Sequence, residues 1–172
     1  MTGHLILIGL MGAGKTTVGR ACAERLGRPF VDTDELVEAA AGASVAALFA
    51  DAGEERFREL ERAAVADACA SPQPLVVACG GGAVLDPENR RRLRGAGFVV
   101  WLRAPVATLA GRIGDGASRP LLHGDPAGNL ARLEHLRAPA YEAGAHCTID
   151  TDGLGPDAVA DAVLAAFEGV AA

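Results

Sequence analysis

The sequence predicts a three-layer α/β/α fold built on a five-stranded parallel sheet, and three observations carry that expectation. Short, wholly apolar runs alternate with longer stretches of helical periodicity. The runs do not alternate with polar residues, which marks strands buried on both faces. Half of the 172 residues are apolar yet only 4% are aromatic, so small side chains must bring helices close against the sheet. Strands separated by helices imply right-handed crossovers and parallel pairing.

Each element has its own signal. Leu5 to Ile8 reads as the first buried strand, followed by a helix from Thr16 to Leu26 that Gly27 and Pro29 stop. Phe30-Val31 is a short second strand that ends in "DTDE". About forty residues of helical character follow, Glu35 to Ala70, with Phe57, Leu60 and Ala64 on one face and Glu54, Arg58 and Glu61 in a neighbouring polar row. Leu75 to Ala78, Phe98 to Leu102 and Cys147 to Ile149 complete the strands. Residues 114–128 are glycine-rich and read as an irregular, mobile loop. The last helix starts near Pro156-Asp157, a favourable N-terminal pair, with Val159, Val163 and Phe167 as its core stripe. No repeat and no linker divides the chain, so 1–172 is expected to form a single domain.

Composition removes several classes of function. A net charge of -6 argues against a duplex nucleic-acid partner, so any basic site must be local. The four cysteines form no CxxC pair and are expected as buried free thiols in a reducing compartment. The four histidines lack metal-ligand spacing. The first apolar run is too short for a secretory signal, and no window has the length of a membrane span. A cytoplasmic protein with no membrane partner is expected.

Chemistry enters with "GLMGAGKTT", residues 9–17. Lys15 is the only lysine in the chain; fifteen of the 16 basic residues are arginine. Gly9, Gly14, Lys15 and Thr16 satisfy GxxxxGK[ST], a pattern that arises by chance in roughly one chain in two hundred of this length. It also stands where its mechanism needs it, after a buried strand and opening a helix. Backbone amides there can curl around phosphate at a helix N-terminus. Lysine reaches the β- and γ-phosphates, and the Thr16 hydroxyl can ligate Mg²⁺. Gly12, Ala13, Gly14, Lys15, Thr16 and Thr17 are therefore the candidate ATP-binding residues.

A motor-type ATPase would show a later apolar strand ending in Asp, whereas these end in Cys79-Gly80 and Arg103. A GTPase needs the lysine of NKxD, which a chain with one committed lysine cannot supply. Asp32 and Asp34 remain. A spacing of two on extended backbone would turn both to one side. With the second strand beside the first, their tip would lie near the phosphate loop. One carboxylate could then hold the metal's water shell while the other faces an acceptor hydroxyl.

"GLMGAGKTTVGR", "DTD", "LF…GEERFRELE", "GGGAV", "RPLL" and "RAPAY", in this order and spacing, resemble the shikimate kinases nearly end to end. These are P-loop small-molecule kinases of the nucleoside monophosphate kinase type. The resemblance implies phosphorylation of the 3-hydroxyl of shikimate by MgATP, with Lys15, Asp34 and Arg119 catalytic, Asp34 facing the hydroxyl as the base and Asp32 beside the Mg²⁺ water shell. It implies that Arg58 and Arg137 bind the substrate carboxylate, where a planar guanidinium grips bidentately. Glu61 would orient Arg58, Gly80, Gly81 and Gly82 would approach the substrate, and Phe49 and Phe57 would line its pocket. Residues 33–61 would be the substrate-binding helical region and 113–127 a lid carrying Arg119, with Arg112 stacking near adenine. Family members are often monomers. One departure is "DTDGLGPD" at 150–157, which lacks a basic adenine-contacting residue and leaves that contact to backbone. Gluconate kinase, with another acceptor, and a catalytically idle nucleotide-binding module are the alternatives. The set Arg58, Gly81 and Arg137 favours a compact cyclic carboxylate over gluconate, and Asp34 with Arg119 argues against an idle module.

Overall fold

A computed structural model describes residues 3–114, 120–122 and 124–169. Five strands, β1 (His4–Ile8), β2 (Phe30–Asp32), β3 (Val76–Ala78), β4 (Gly97–Arg103) and β5 (Cys147–Asp150), form one sheet in the order β2-β3-β1-β4-β5. Every pairing is parallel, with Ile6 in register with Val77 on one side and Val99 on the other. The expected strands are all present, each within about two residues of its predicted ends.

β1 is the axis of the core. Leu5, Ile6, Leu7 and Ile8 are fully buried, because helices cover both faces of the central strand. Burying each such side chain contributes about 1.5–3 kcal/mol. Among the described residues seven α-helices surround the sheet: α1 (Lys15–Leu26), α2 (Thr33–Ala41), α3 (Val45–Cys69), α4 (Pro87–Ala96), α5 (Val106–Ile113), α6 (Pro126–Gly144) and α7 (Pro156–Gly169). In α7, Val159, Val163 and Phe167 are buried, as their spacing predicts.

The helical stretch after β2 is bent. α2 and α3 meet at 83°, and α3 is itself broken at Gly53, whose φ of 79° and ψ of 173° only glycine readily adopts. A small second core of Val37, Leu48, Phe57 and Ala64 fills the bend.

Three expectations change. β2 pairs with β3, which separates it from β1. Asp34 lies in the first turn of α2 and not on extended backbone: Asp32 is the N-cap, and its Oδ1 accepts the Asp34 amide at 3.0 Å. The stretch read as irregular at 114–128 contains the start of α6, capped by Asp125 with Pro126 in its first turn. No single helix among the described residues is long and apolar enough to cross a membrane. The four cysteines are free thiols.

Candidate active site

All five strands point their C-terminal ends toward one crevice, the place where open parallel sheets bind ligands. The loops there enclose a cavity of about 850 Å³.

The phosphate side is built around a helix start left open to an anion. Gly14, with φ 91°, turns the chain into α1, which has no side-chain cap and no acidic residue in its first turn. By contrast α2, α3, α4 and α6 are capped by Asp32, Ser44, Asp86 and Asp125. The amides that open α1 thus keep their partial positive charge for a ligand. Lys15 Nζ donates to the carbonyls of Gly9 and Leu10 at 2.8 and 2.9 Å, which folds the slim side chain back over the loop. Gly12, Ala13, Gly14, Lys15, Thr16 and Thr17 all line the cavity.

Thr16 and Asp32 come together across the gap between α1 and β2. The Thr16 hydroxyl donates to Asp32 Oδ2 at 2.8 Å. Among the described residues no three or more Asp, Glu, His or Cys side chains are grouped so as to hold a metal ion. A hydroxyl with a single carboxylate is the sparse donor set that suits Mg²⁺, which keeps several waters and takes its other ligands from phosphates.

The acceptor side is organised by three consecutive glycines after β3. None has a positive φ; each instead makes room for a different side chain. A Cβ on Gly80 would lie 2.5 Å from Asp34 Oδ1 and 3.0 Å from Glu61 Oε1. On Gly81 it would lie 3.2 Å from Arg137 Nη1. On Gly82 it would collide with Arg58, 2.6 Å from Nη2 and 2.8 Å from Cζ. A carboxylate and two guanidinium groups are therefore packed onto successive residues of one backbone segment. The amides are less open than the glycine run suggests, because Gly80 N–H donates to the buried Thr33 hydroxyl at 2.8 Å.

The two arginines are held differently. Arg58 Nη1 donates to Glu61 Oε2 at 2.7 Å, and its Nε and Nη2 reach Glu54 at 3.3 and 3.1 Å. The ion pairs expected of a surface arginine thus exist, and they aim its fork into the cavity. Arg137, on α6, is only 4% exposed. Glu61 is 2% exposed, and its Oε1 has no hydrogen-bond partner among the described residues. Burial raises the Glu61 carboxyl above the usual range, and Asp34 adds to this while Arg58 and Arg137 oppose it. Burial pulls on Arg58 too, but Glu61 and Glu54 outweigh it and hold its proton more tightly.

Phe49 and Phe57 line the cavity with ring centroids 4.7 Å apart while also packing on the second core, so each serves both purposes. Arg112 bridges the two nucleotide-side loops: it donates to the Gly12 carbonyl at 3.4 Å and to the Thr151 hydroxyl and carbonyl at 3.0 and 2.8 Å. Arg119, with the rest of 115–119 and residue 123 of the span 113–127, lies outside the described residues. Sequence reasoning missed Leu121, Thr151, Leu154 and Pro156 on the cavity wall, as well as Thr33 beneath Gly80. The "DTDGLGPD" stretch was the available signal for three of these, since a turn after the last strand must overhang the crevice.

The family model described as shikimate kinase matches residues 11–168. A shikimate kinase of Symbiobacterium thermophilum is 56% identical over 152 residues, which is 87% of each chain. The structure titled as the shikimate kinase of Acinetobacter baumannii in complex with shikimate superposes with a TM-score of 0.94. It is 37% identical and is matched over 98% of this chain and 94% of its own. A gluconokinase of Sinorhizobium meliloti, matched over 98% and 93%, reaches only 0.66 at 25% identity, which sets the gluconate alternative behind. With Gly12 to Thr17, the glycine segment and both arginines inside the matched range, the chain belongs to the shikimate kinase family.

Proposed function

We propose that the chain transfers the γ-phosphoryl group of MgATP to the 3-hydroxyl of shikimate, giving shikimate 3-phosphate and ADP. The observation that carries the reading is the convergence of Asp34, Arg137 and Arg58 on Gly80, Gly81 and Gly82 within the cavity that also holds Lys15 and Thr16. Two guanidinium forks on one wall match a carboxylate, and a carboxylate beside them matches a hydroxyl.

The carboxylate of shikimate rests between Arg58 and Arg137, with the ring against Phe49 and Phe57. This leaves a ring hydroxyl facing Asp34. The hydroxyl oxygen forms the new bond to phosphorus as the bond to the β-phosphate oxygen breaks, and Asp34 orients the hydroxyl or accepts its proton. Lys15 and the opening amides of α1 hold the transferring charge. Thr16 and Asp32 would hold Mg²⁺, which when bound neutralises charge on the phosphates. Most of the acceleration then comes from positioning and charge complementarity. Arg112 flanks the adenine. Arg119 is assigned the offsetting of transition-state charge, and 113–127 the exclusion of water that would compete for the phosphoryl group. Residues 1–172 act as one domain, with 33–61 as the acceptor-binding region, in a cytoplasmic monomer that should elute at the mass of a single chain.

A coupled ADP-release assay tests the assignment. Turnover must depend on shikimate, and ADP release indifferent to it would overturn the reading. Asp34→Asn should retain ATP binding and lose about 10²–10⁴-fold in kcat. Unchanged turnover in this variant would remove Asp34 from the chemistry, whereas catalytic idleness of the wild type would leave only a nucleotide-binding module.

A further inference from the structure

Tyr141 is the only tyrosine in the chain and one of its most deeply buried side chains, 1% exposed, yet no step above uses it. It lies four residues after Arg137 on α6, so the two side chains share a face of the helix. Its hydroxyl donates to the Gly81 carbonyl at 2.6 Å, which leaves its lone pairs for a neighbour, and both this oxygen and Arg137 Nη1 stand against Gly81, 3.6 and 3.2 Å from where its Cβ would lie. A phenol has both capacities, one proton to give and lone pairs to receive. The ring stacks on Trp101 of β4, with centroids 5.5 Å apart at 26°, and Trp101 is in register with Ile8, the residue before the phosphate loop. A Cβ on Gly81 would also lie 3.6 Å from the Gly9 carbonyl, which Lys15 Nζ engages.

From this geometry we infer that Tyr141 is a positioning residue for the acceptor: its single hydroxyl fixes the Gly81 carbonyl and the Arg137 guanidinium in one arrangement, so that the carboxylate grip is set before substrate arrives. Burial pushes the phenol up to about 12, so it stays a donor throughout the working pH range. Its anchoring to β4 ties the grip to the strand that flanks β1, and so to the base of the phosphate loop. The inference rests on the shikimate reading given above.

The test is Tyr141→Phe, which keeps the ring and its stacking and deletes one oxygen. Loss of the hydroxyl leaves the Gly81 carbonyl without its donor and Arg137 without the phenol oxygen beside it. The KM for shikimate should rise about tenfold, with the KM for MgATP within twofold and kcat falling less than threefold. In an Arg137→Lys background, adding Tyr141→Phe should raise the shikimate KM by less than threefold, because the two changes damage one grip. Equal rises in both KM values, or a fall in Tm with no change in the shikimate KM, would show a merely structural tyrosine and overturn the inference. Because Tyr141 is unique, fluorotyrosine supplied in growth medium labels this site alone. Its fluorine resonance should shift on addition of shikimate and respond far less to MgADP; indifference to shikimate would refute the role even if the Phe variant fails to fold. Wild-type protein without shikimate-dependent turnover would instead sink the underlying assignment, a result separable from all of these.

Discussion

Gly82→Ala isolates the close approach on the acceptor wall. The backbone there, φ -99° and ψ -8°, lies in a region that non-glycine residues occupy in turns, so alanine introduces no conformational strain. The new Cβ, however, would stand 2.8 Å from Arg58 Cζ and 2.6 Å from Nη2. Ordinary carbon contacts begin near 3.5 Å, so the guanidinium must retreat by about 1 Å. It can do so, since it ends a flexible side chain and Glu54 and Glu61 can follow it; the fold should therefore survive with a Tm within a few degrees of wild type. What is lost is the aim of the fork. A hydrogen bond to a charged group is worth about 1.5–3 kcal/mol, which corresponds to a roughly 10- to 150-fold rise in the shikimate KM. The KM for MgATP should not move. Initial rates of coupled ADP release against each substrate measure both. The cycle with Arg58→Ala is stricter: with the arginine gone, Gly82→Ala has nothing to displace and should add less than threefold. A shikimate KM within twofold of wild type, or full additivity in the cycle, would refute the claim that Gly82 is glycine for the sake of Arg58.

Two further outcomes follow from the same residues. Thr16→Val deletes the hydroxyl paired with Asp32 and should raise the Mg²⁺ concentration for half-maximal activity about tenfold, read from a metal titration at saturating ATP; an unchanged requirement would mean that the metal is held elsewhere. Glu61→Gln tests the buried carboxyl through its pH dependence. Because the Glu61 pKa is raised on folding, the folded chain holds more proton than the unfolded one between the ordinary carboxylate value and the raised one. That stability is complete below the ordinary value and is lost as pH rises through the raised value, at no more than about 1.4 kcal/mol per pH unit. Wild type should therefore gain on the Gln variant as pH falls from 7 toward 5 in parallel melting experiments, and parallel curves would exclude the shift.

The phosphate half of the site is legible because its parts are local. A buried strand followed directly by a glycine turn, a lysine and a hydroxyl fixes its own geometry through one helix start, and 9–17 adopts it. The pairing of Thr16 with Asp32 is less local. The sequence places the tip of β2 near the phosphate loop from a strand order that does not occur, with β2 beside β1, and Thr16 still meets Asp32 because the tips of all strands meet at one crevice whichever neighbour they have. Asp34 illustrates the limit. A spacing of two reads as alternation on a strand, but Asp32 caps α2 and draws Asp34 into a helix, since a side chain that accepts a nearby amide competes with extended pairing.

The glycine run was the least legible element, for a physical reason. Glycine is usually read as a backbone signal, and Gly80 to Gly82 carry none, with no positive φ among them. Their meaning lies in side chains far away in sequence: Asp34 at the start of α2, Arg58 and Glu61 on α3, and Arg137 and Tyr141 on α6. Only the folded chain shows that each glycine faces a different one of these groups. This arrangement also explains why the donor and acceptor halves need not be assembled separately. One three-residue segment, leaving the sheet beside β1, is pressed between the acceptor-binding side chains and the carbonyl of Gly9. A shift of that segment would disturb the carboxylate grip and the lysine cradle together, which is why changes at Gly82 and Tyr141, each touching only one side of it, are expected to separate the KM for shikimate from the KM for MgATP.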